Sequence, residues 1–139
     1  MELFSSNKDV NESVGELILE AFLNSSIQTI KHLNLSWNES WFNHGDTKEE
    51  REGIVEMLTE IISMQTECPN VLNLGRNRFS SSGTEKLMTT IAARVALASY
   101  ALHEIHLSFA NFESDESVKK LAEILSVTPC FKKCDIAEQ

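Results

Sequence analysis

Glycine, proline and cysteine are all scarce in this chain of 139 residues, at five, two and three copies. With so few glycines there is no G-x-G-x-x-G fingerprint, no Walker phosphate loop and no G-x-S-x-G nucleophile elbow. Gly75 and Gly83 read as backbone devices at a strand end and a helix start. Three cysteines cannot all pair within one chain, and no apolar secretory segment follows Met1-Glu2-Leu3, so a reducing compartment, the cytoplasm, is expected. The N-x-S matches at Asn11, Asn24, Asn34 and Asn38 are then coincidental. No run of apolar residues is long enough for a membrane span; the nearest, Ile91 to Leu102, is broken by Arg94 and Ser99. Basic residues number 12 against 21 acidic ones, a net charge of −9, which argues against a nucleic-acid or anionic-membrane surface. Apolar residues are not depleted, at 42%, so the chain can bury a core and is expected to form one domain over 1–139.

What is present is a recurring pattern. Residues Ile30-Lys31-His32-Leu33-Asn34-Leu35-Ser36-Trp37-Asn38 read L-x-x-L-x-L-x-x-N. The alternation of Leu33 and Leu35 is that of a strand with one face buried. Asn38 stands where the chain must turn, and an Asn side chain there can bond nearby backbone, including that of a neighbouring turn. Val71-Leu72-Asn73-Leu74-Gly75-Arg76-Asn77 repeats the second half, followed by Phe79. Leu102-His103-Glu104-Ile105-His106-Leu107 repeats the first half, with Ala110 in the Asn place and Asn111 one residue late. Weaker copies occur at Phe4 to Asn7 and at Phe131 to Ile136. With Phe4, Leu35, Leu74, Leu107 and Ile136 as equivalents, the intervals are 31, 39, 33 and 29 residues. Repeats of that length leave room for a helix on the return limb.

Helical periodicity fills each interval. Val14, Leu17, Ile18, Ala21 and Phe22 form a first stripe; Ile54, Met57, Leu58, Ile61 and Ile62 a second, after a Thr47 cap with Glu50 placed for a capping box. Leu87, Met88, Ile91, Ala92, Val95 and Leu97 form a third, after a Ser80 to Gly83 turn. Val118, Leu121, Ala122, Ile124 and Leu125 form the last, capped by Ser114 or Asp115 and stopped by Val127-Thr128-Pro129. Strands are expected at Met1 to Ser5, Lys31 to Leu35, Val71 to Leu74, Glu104 to Leu107 and Lys133 to Ile136. Trp41 and Phe42, in the long connection before Thr47, are expected to tuck under it.

The chain resembles the leucine-rich repeat family, nearest its ribonuclease-inhibitor-like class. The resemblance implies an α/β fold: a short right-handed solenoid of about four repeats, with a parallel sheet on the concave side and helices on the convex side. A compact α/β sandwich of the same connectivity is the alternative.

No constellation points to chemistry. His103 and His106 are three apart on a strand boundary, not on a helix at H-E-x-x-H spacing, and His106 is expected to face solvent. Cys130 and Cys134 form no C-x-x-C pair, and Cys134 fits a core position. No enzyme activity, cofactor or metal is expected. The informative feature is a set of columns across in-register strands. Trp37, Arg76 and Phe109 share one; Ser36, Gly75 and Ser108 a second; Asn34, Asn73 and His106 a third. Aromatics beside an Arg are the residue types of interface hot spots, and small neighbours leave room for a partner. Alternatively, Trp37 and Phe109 cover the sheet edge or clamp Arg76 by cation–π contact. The resemblance implies that the concave face binds another protein, and the candidate site is Asn34, Ser36, Trp37, Asn73, Arg76, His106 and Phe109. The other readings are a structural subunit that docks end-on or self-associates through open repeat ends, or a bacterial effector acting in a host cytosol. Neither nucleic acid nor a membrane is expected as a partner.

Overall fold

The computed structural model describes residues 12–25, 30–36, 47–66, 69–97, 102–108, 110–127 and 133–135. Helix and strand alternate: α1 (Glu12–Asn24), β1 (His32–Asn34), α2 (Lys48–Ser63), β2 (Val71–Asn73), α3 (Ser81–Leu97), β3 (Glu104–His106), α4 (Asp115–Ser126) and β4 (Lys133–Asp135). The strands form one open sheet in chain order, β1-β2-β3-β4, and every pairing is parallel. Leu33 pairs with Leu72, Leu72 with Ile105, and Ile105 with Cys134. That is the register expected from the aligned motifs. The expected first strand, Met1 to Ser5, lies outside the described residues, as do Trp41 and Phe42.

Each strand is three residues long, too short to be stable by itself, so its backbone must be satisfied by its neighbours. The ladder runs past the strand ends. Leu35 N–H donates to Asn73 O at 2.8 Å, Leu74 N–H to His106 O at 2.9 Å, and Arg76 N–H to Ser108 O at 2.7 Å. At the other end, Asn70 N–H donates to Lys31 O and His103 N–H to Asn70 O, both at 2.8 Å.

Period-2 alternation decides the faces. Leu33, Leu35, Leu72, Leu74, Ile105 and Leu107 are all buried, while Asn34, Asn73 and His106 between them stay half-buried. Ile30, Pro69 and Leu102 join the core at the place before each strand. The helices pack in the same order as the strands: α1 on α2, α2 on α3, α3 on α4. Their buried side chains and those of the strands make one cluster. Burying each such Leu or Ile contributes about 1.5–3 kcal/mol, so the core lies between one row of helices and one sheet face.

The helix stripes need four corrections. In α1 the buried residues are Leu19 and Phe22, whereas Leu17 and Ala21 are exposed, so the helix is rotated about a residue from the expected stripe. Helix α3 starts at Ser81, so Ser81 to Gly83 belong to its first turn and Ser80 caps it, its Oγ accepting Gly83 N–H at 3.0 Å. Leu97, at its other end, is 78% exposed. In α4, Leu121 and Ile124 are buried as expected, but Val118, Ala122 and Leu125 are exposed. Ser114 is its N-cap, accepting Ser117 N–H.

Two buried amides tie successive units together. Asn77, fully buried, donates through Nδ2 to Leu35 O at 2.9 Å and to Leu74 O at 3.0 Å. It thus closes its own turn and joins it to the turn before, the role expected of an Asn at this place of the motif. Gln65 accepts Ile30 N–H at 2.9 Å and donates to Ile61 O at 2.9 Å, linking α2 to the segment before β1. Ala110, in the third copy, is buried and has no side-chain donor; the next residue, Asn111, donates its N–H to Thr84 Oγ1 at 3.1 Å.

Candidate interaction surface

The open face of the sheet is built from the residues that alternate with the buried leucines. The register sets two rows across it: His32, Val71 and Glu104, then Asn34, Asn73 and His106. All six are half-buried. Asn34, Asn73 and His106 therefore come together as expected. His32, Val71 and Glu104 were not singled out from the sequence, although the same alternation, read two residues earlier, marks them.

The asparagines do more than present an amide. Asn34 Oδ1 accepts Ser36 N–H at 3.1 Å and Ser36 Oγ–H at 2.8 Å; Asn73 Oδ1 accepts Gly75 N–H at 3.2 Å. Each closes a turn onto the backbone two residues on, so the carbonyl end is fixed and turned inward along the chain. His106 replaces this device in the third strand. Its Nε2 lies 3.5 Å from Glu104 Oε2, and its side chain is 17% exposed. It is thus flanked by a carboxylate and largely covered, rather than solvated as expected.

The column of small residues is a packing column. Ser36 is 7% exposed and its hydroxyl is committed to Asn34; Gly75 is buried. A Cβ on Gly75 would lie 2.8 Å from Ser108 Oγ and 3.7 Å from Ser108 N, so a side chain there would require the Ser108 hydroxyl to turn away. Ser36 therefore belongs to the turn's interior, and Ser108 is half-buried beside Gly75. Arg76 follows, half-buried, with its backbone in the left-handed region at φ 60°; Arg78 is exposed at φ 51°. Two non-glycine residues in that region within one turn make it the most constrained stretch of backbone described. Trp37 and Phe109 lie outside the described residues, so the column they share with Arg76 rests on the sequence.

Charge is unevenly spread. Over 30–36, 70–79 and 102–108, Glu104 is the one acid, against Lys31, Arg76 and Arg78 with His32, His103 and His106. The helix row carries exposed Glu20, Glu49, Glu56, Glu60 and Glu123. These segments are thus poor in acid and hold three of the four histidines, while Lys48, Arg51, Lys86, Arg94, Lys119 and Lys120 lie on the helices. A groove of about 420 Å³ between α2 and α3 is lined by residues that include Thr59, Thr89 and Thr90. Lys86 and Glu56 at its wall pair with each other at 2.9 Å. Among the described residues, no three His, Cys, Asp or Glu side chains converge on a point where a metal could bind. No helix described is long and apolar enough to cross a membrane.

Compared with known proteins, the sequence matches no family model and no curated relative.

Proposed function

We propose that this chain is a short right-handed leucine-rich-repeat solenoid, with its sheet concave and its helices convex, acting in the cytoplasm as a non-enzymatic protein-interaction module. The observation that carries the reading is the in-register parallel sheet with one face sealed by leucines and the other lined by Asn34, Asn73, His106, His32, Val71 and Glu104. The bridge from Asn77 to Leu35 O and Leu74 O supports the repeat, since it joins one turn to the next. A sheet face of half-buried polar groups on rigid strands, with basic groups around it, suits a partner whose contact surface is acidic.

Capture of binding proteins on the immobilised chain tests the reading. The variant Val71→Glu with His106→Glu changes the open face without touching the core, and Thr89→Glu changes the exposed helix side. A specific partner is expected to be held by the wild type and by Thr89→Glu. The open-face variant should weaken it at least tenfold while its circular dichroism melting curve stays cooperative. Equal capture by the folded open-face variant would overturn the assignment of that face.

A further inference from the structure

Strand β2 is an inner strand, paired with β1 on one side and β3 on the other. Its backbone groups are used within the sheet, so an incoming chain meets side chains there and no edge to extend. Val71 and Asn73, both half-buried, stand at the centre of the open face. Val71 is the one apolar member of the two rows; His32 and Glu104 flank it, and Asn34 and His106 flank Asn73. An apolar place ringed by polar ones is the anatomy of an interface centre.

The Asn73 amide has a fixed direction. Its Oδ1 accepts Gly75 N–H at 3.2 Å, so the group it offers outward is the NH2 donor. Glu104, the one acid of the two rows, already lies 3.5 Å from the His106 ring. Lys31 precedes β1 and Arg76 follows β2, one at each margin of the rows. The centre of the face thus suits an apolar side chain beside an acceptor, and charge favours a carboxylate as that acceptor.

Spacing selects the shape of the partner. Across the strands the side chains repeat every ~4.8 Å, and the two rows lie ~7 Å apart along them. An α-helix advances about 5.4 Å per turn and is about 10 Å wide. One helix laid across the strands therefore sets successive turns over β1, β2 and β3 and spans both rows. An extended segment in the same place repeats every ~7 Å and turns every second side chain away from the sheet.

We propose that the open face takes an acidic amphipathic helix of a partner protein, laid across the strands. One apolar side chain of its middle turn sits on Val71, and a carboxylate accepts from the Asn73 amide. This partner rests on the open-face reading above and adds to it a shape, a direction across the sheet and two anchoring contacts.

Selection against the immobilised full chain tests it with two displayed pools. One is a helical-bundle scaffold with one helix face randomised; the other is a disulfide-closed β-hairpin randomised along one face. The helix pool is expected to give binders with Leu, Ile or Phe in the middle turn flanked by Asp or Glu. Val71→Glu should weaken them by about tenfold or more, since it sets a charge against the apolar anchor. Asn73→Asp keeps an oxygen for Gly75 N–H and replaces the outward donor by a charge, so it should weaken them by about tenfold. Exchanging the flanking carboxylate for Lys in the selected helix should restore binding to Asn73→Asp. Both variants should melt cooperatively, since neither side chain is in the core. Basic helices, acidic helices indifferent to Val71→Glu, a carboxylate exchange that restores nothing, or no binder from either pool would each overturn the helix. Hairpins alone, lost on Val71→Glu, would overturn the helix and leave the open face standing. Binders unchanged by Val71→Glu with His106→Glu would overturn the open face as well.

Discussion

At the scale of single residues, Asn77 and Arg76 carry the turn after β2 in different ways. Asn77 donates two hydrogen bonds from a fully buried amide. Asn77→Ala removes both donors and leaves carbonyls of two strands short of partners, at a cost of about 1–3 kcal/mol. Asn77→Asp should cost more, since it adds a buried charge. Urea titration of both variants checks this, and equal midpoints for wild type and Asn77→Ala would remove the bridging role. Arg76 matters through its backbone. At φ 60° a β-branched residue is strained, so Arg76→Val should lose about 1–2 kcal/mol. Arg76→Gly should stay within about 1 kcal/mol of wild type, because relief of strain offsets the greater freedom of the unfolded chain. The same titrations separate the two, and a Val variant as stable as the Gly variant would deny the left-handed turn.

At the scale of elements, each strand is short enough that its stability comes from its neighbours, while each helix owes its place to how much of its apolar arc is covered. Ile91 and Leu125 each lie 11 residues after a capping serine, Ser80 and Ser114, and this matched pair isolates that effect. Ile91 is fully buried, so Ile91→Ala should cost about 2–5 kcal/mol through lost burial and a cavity. Leu125 is its equivalent on α4 but 41% exposed, so Leu125→Ala should cost under about 1 kcal/mol in the isolated chain. Urea denaturation at low protein concentration measures both. Similar losses at the two sites would mean that α4 is covered as α3 is.

At the scale of the whole molecule, the net charge of −9 is held mostly by the helices. Exposed pairs such as Lys86 with Glu56 at 2.9 Å and Lys120 with Glu123 at 3.3 Å contribute little. Repulsion among the unpaired excess works against the compact state and is screened by salt. Raising sodium chloride from about 20 to 500 mM should therefore raise the melting temperature by a few degrees, roughly 1 kcal/mol of stability. A lower melting temperature in salt would show that the attractive pairs outweigh the repulsion.

The strand centres, their register and their buried face were legible in the sequence. Leu33 with Leu35, Leu72 with Leu74 and Ile105 with Leu107 alternate with polar residues, and a period of two leaves one way to bury all six. Asn77 was legible too, because few side chains can supply donors inside a turn. The stripes of α2 and α3, Leu97 apart, were legible as well, whereas the tertiary structure decided which stripe positions of α1 and α4 are core. Thr84 and Val118 hold equivalent places, yet the more polar one is buried and the more apolar one exposed, because a neighbour covers α3 and none of the described helices covers that flank of α4. It likewise placed Ser36 and Gly75 inside the turns, where neighbouring turns cover them. Local pattern sets which way a side chain points along its own element; what lies opposite it is set by the rest of the molecule.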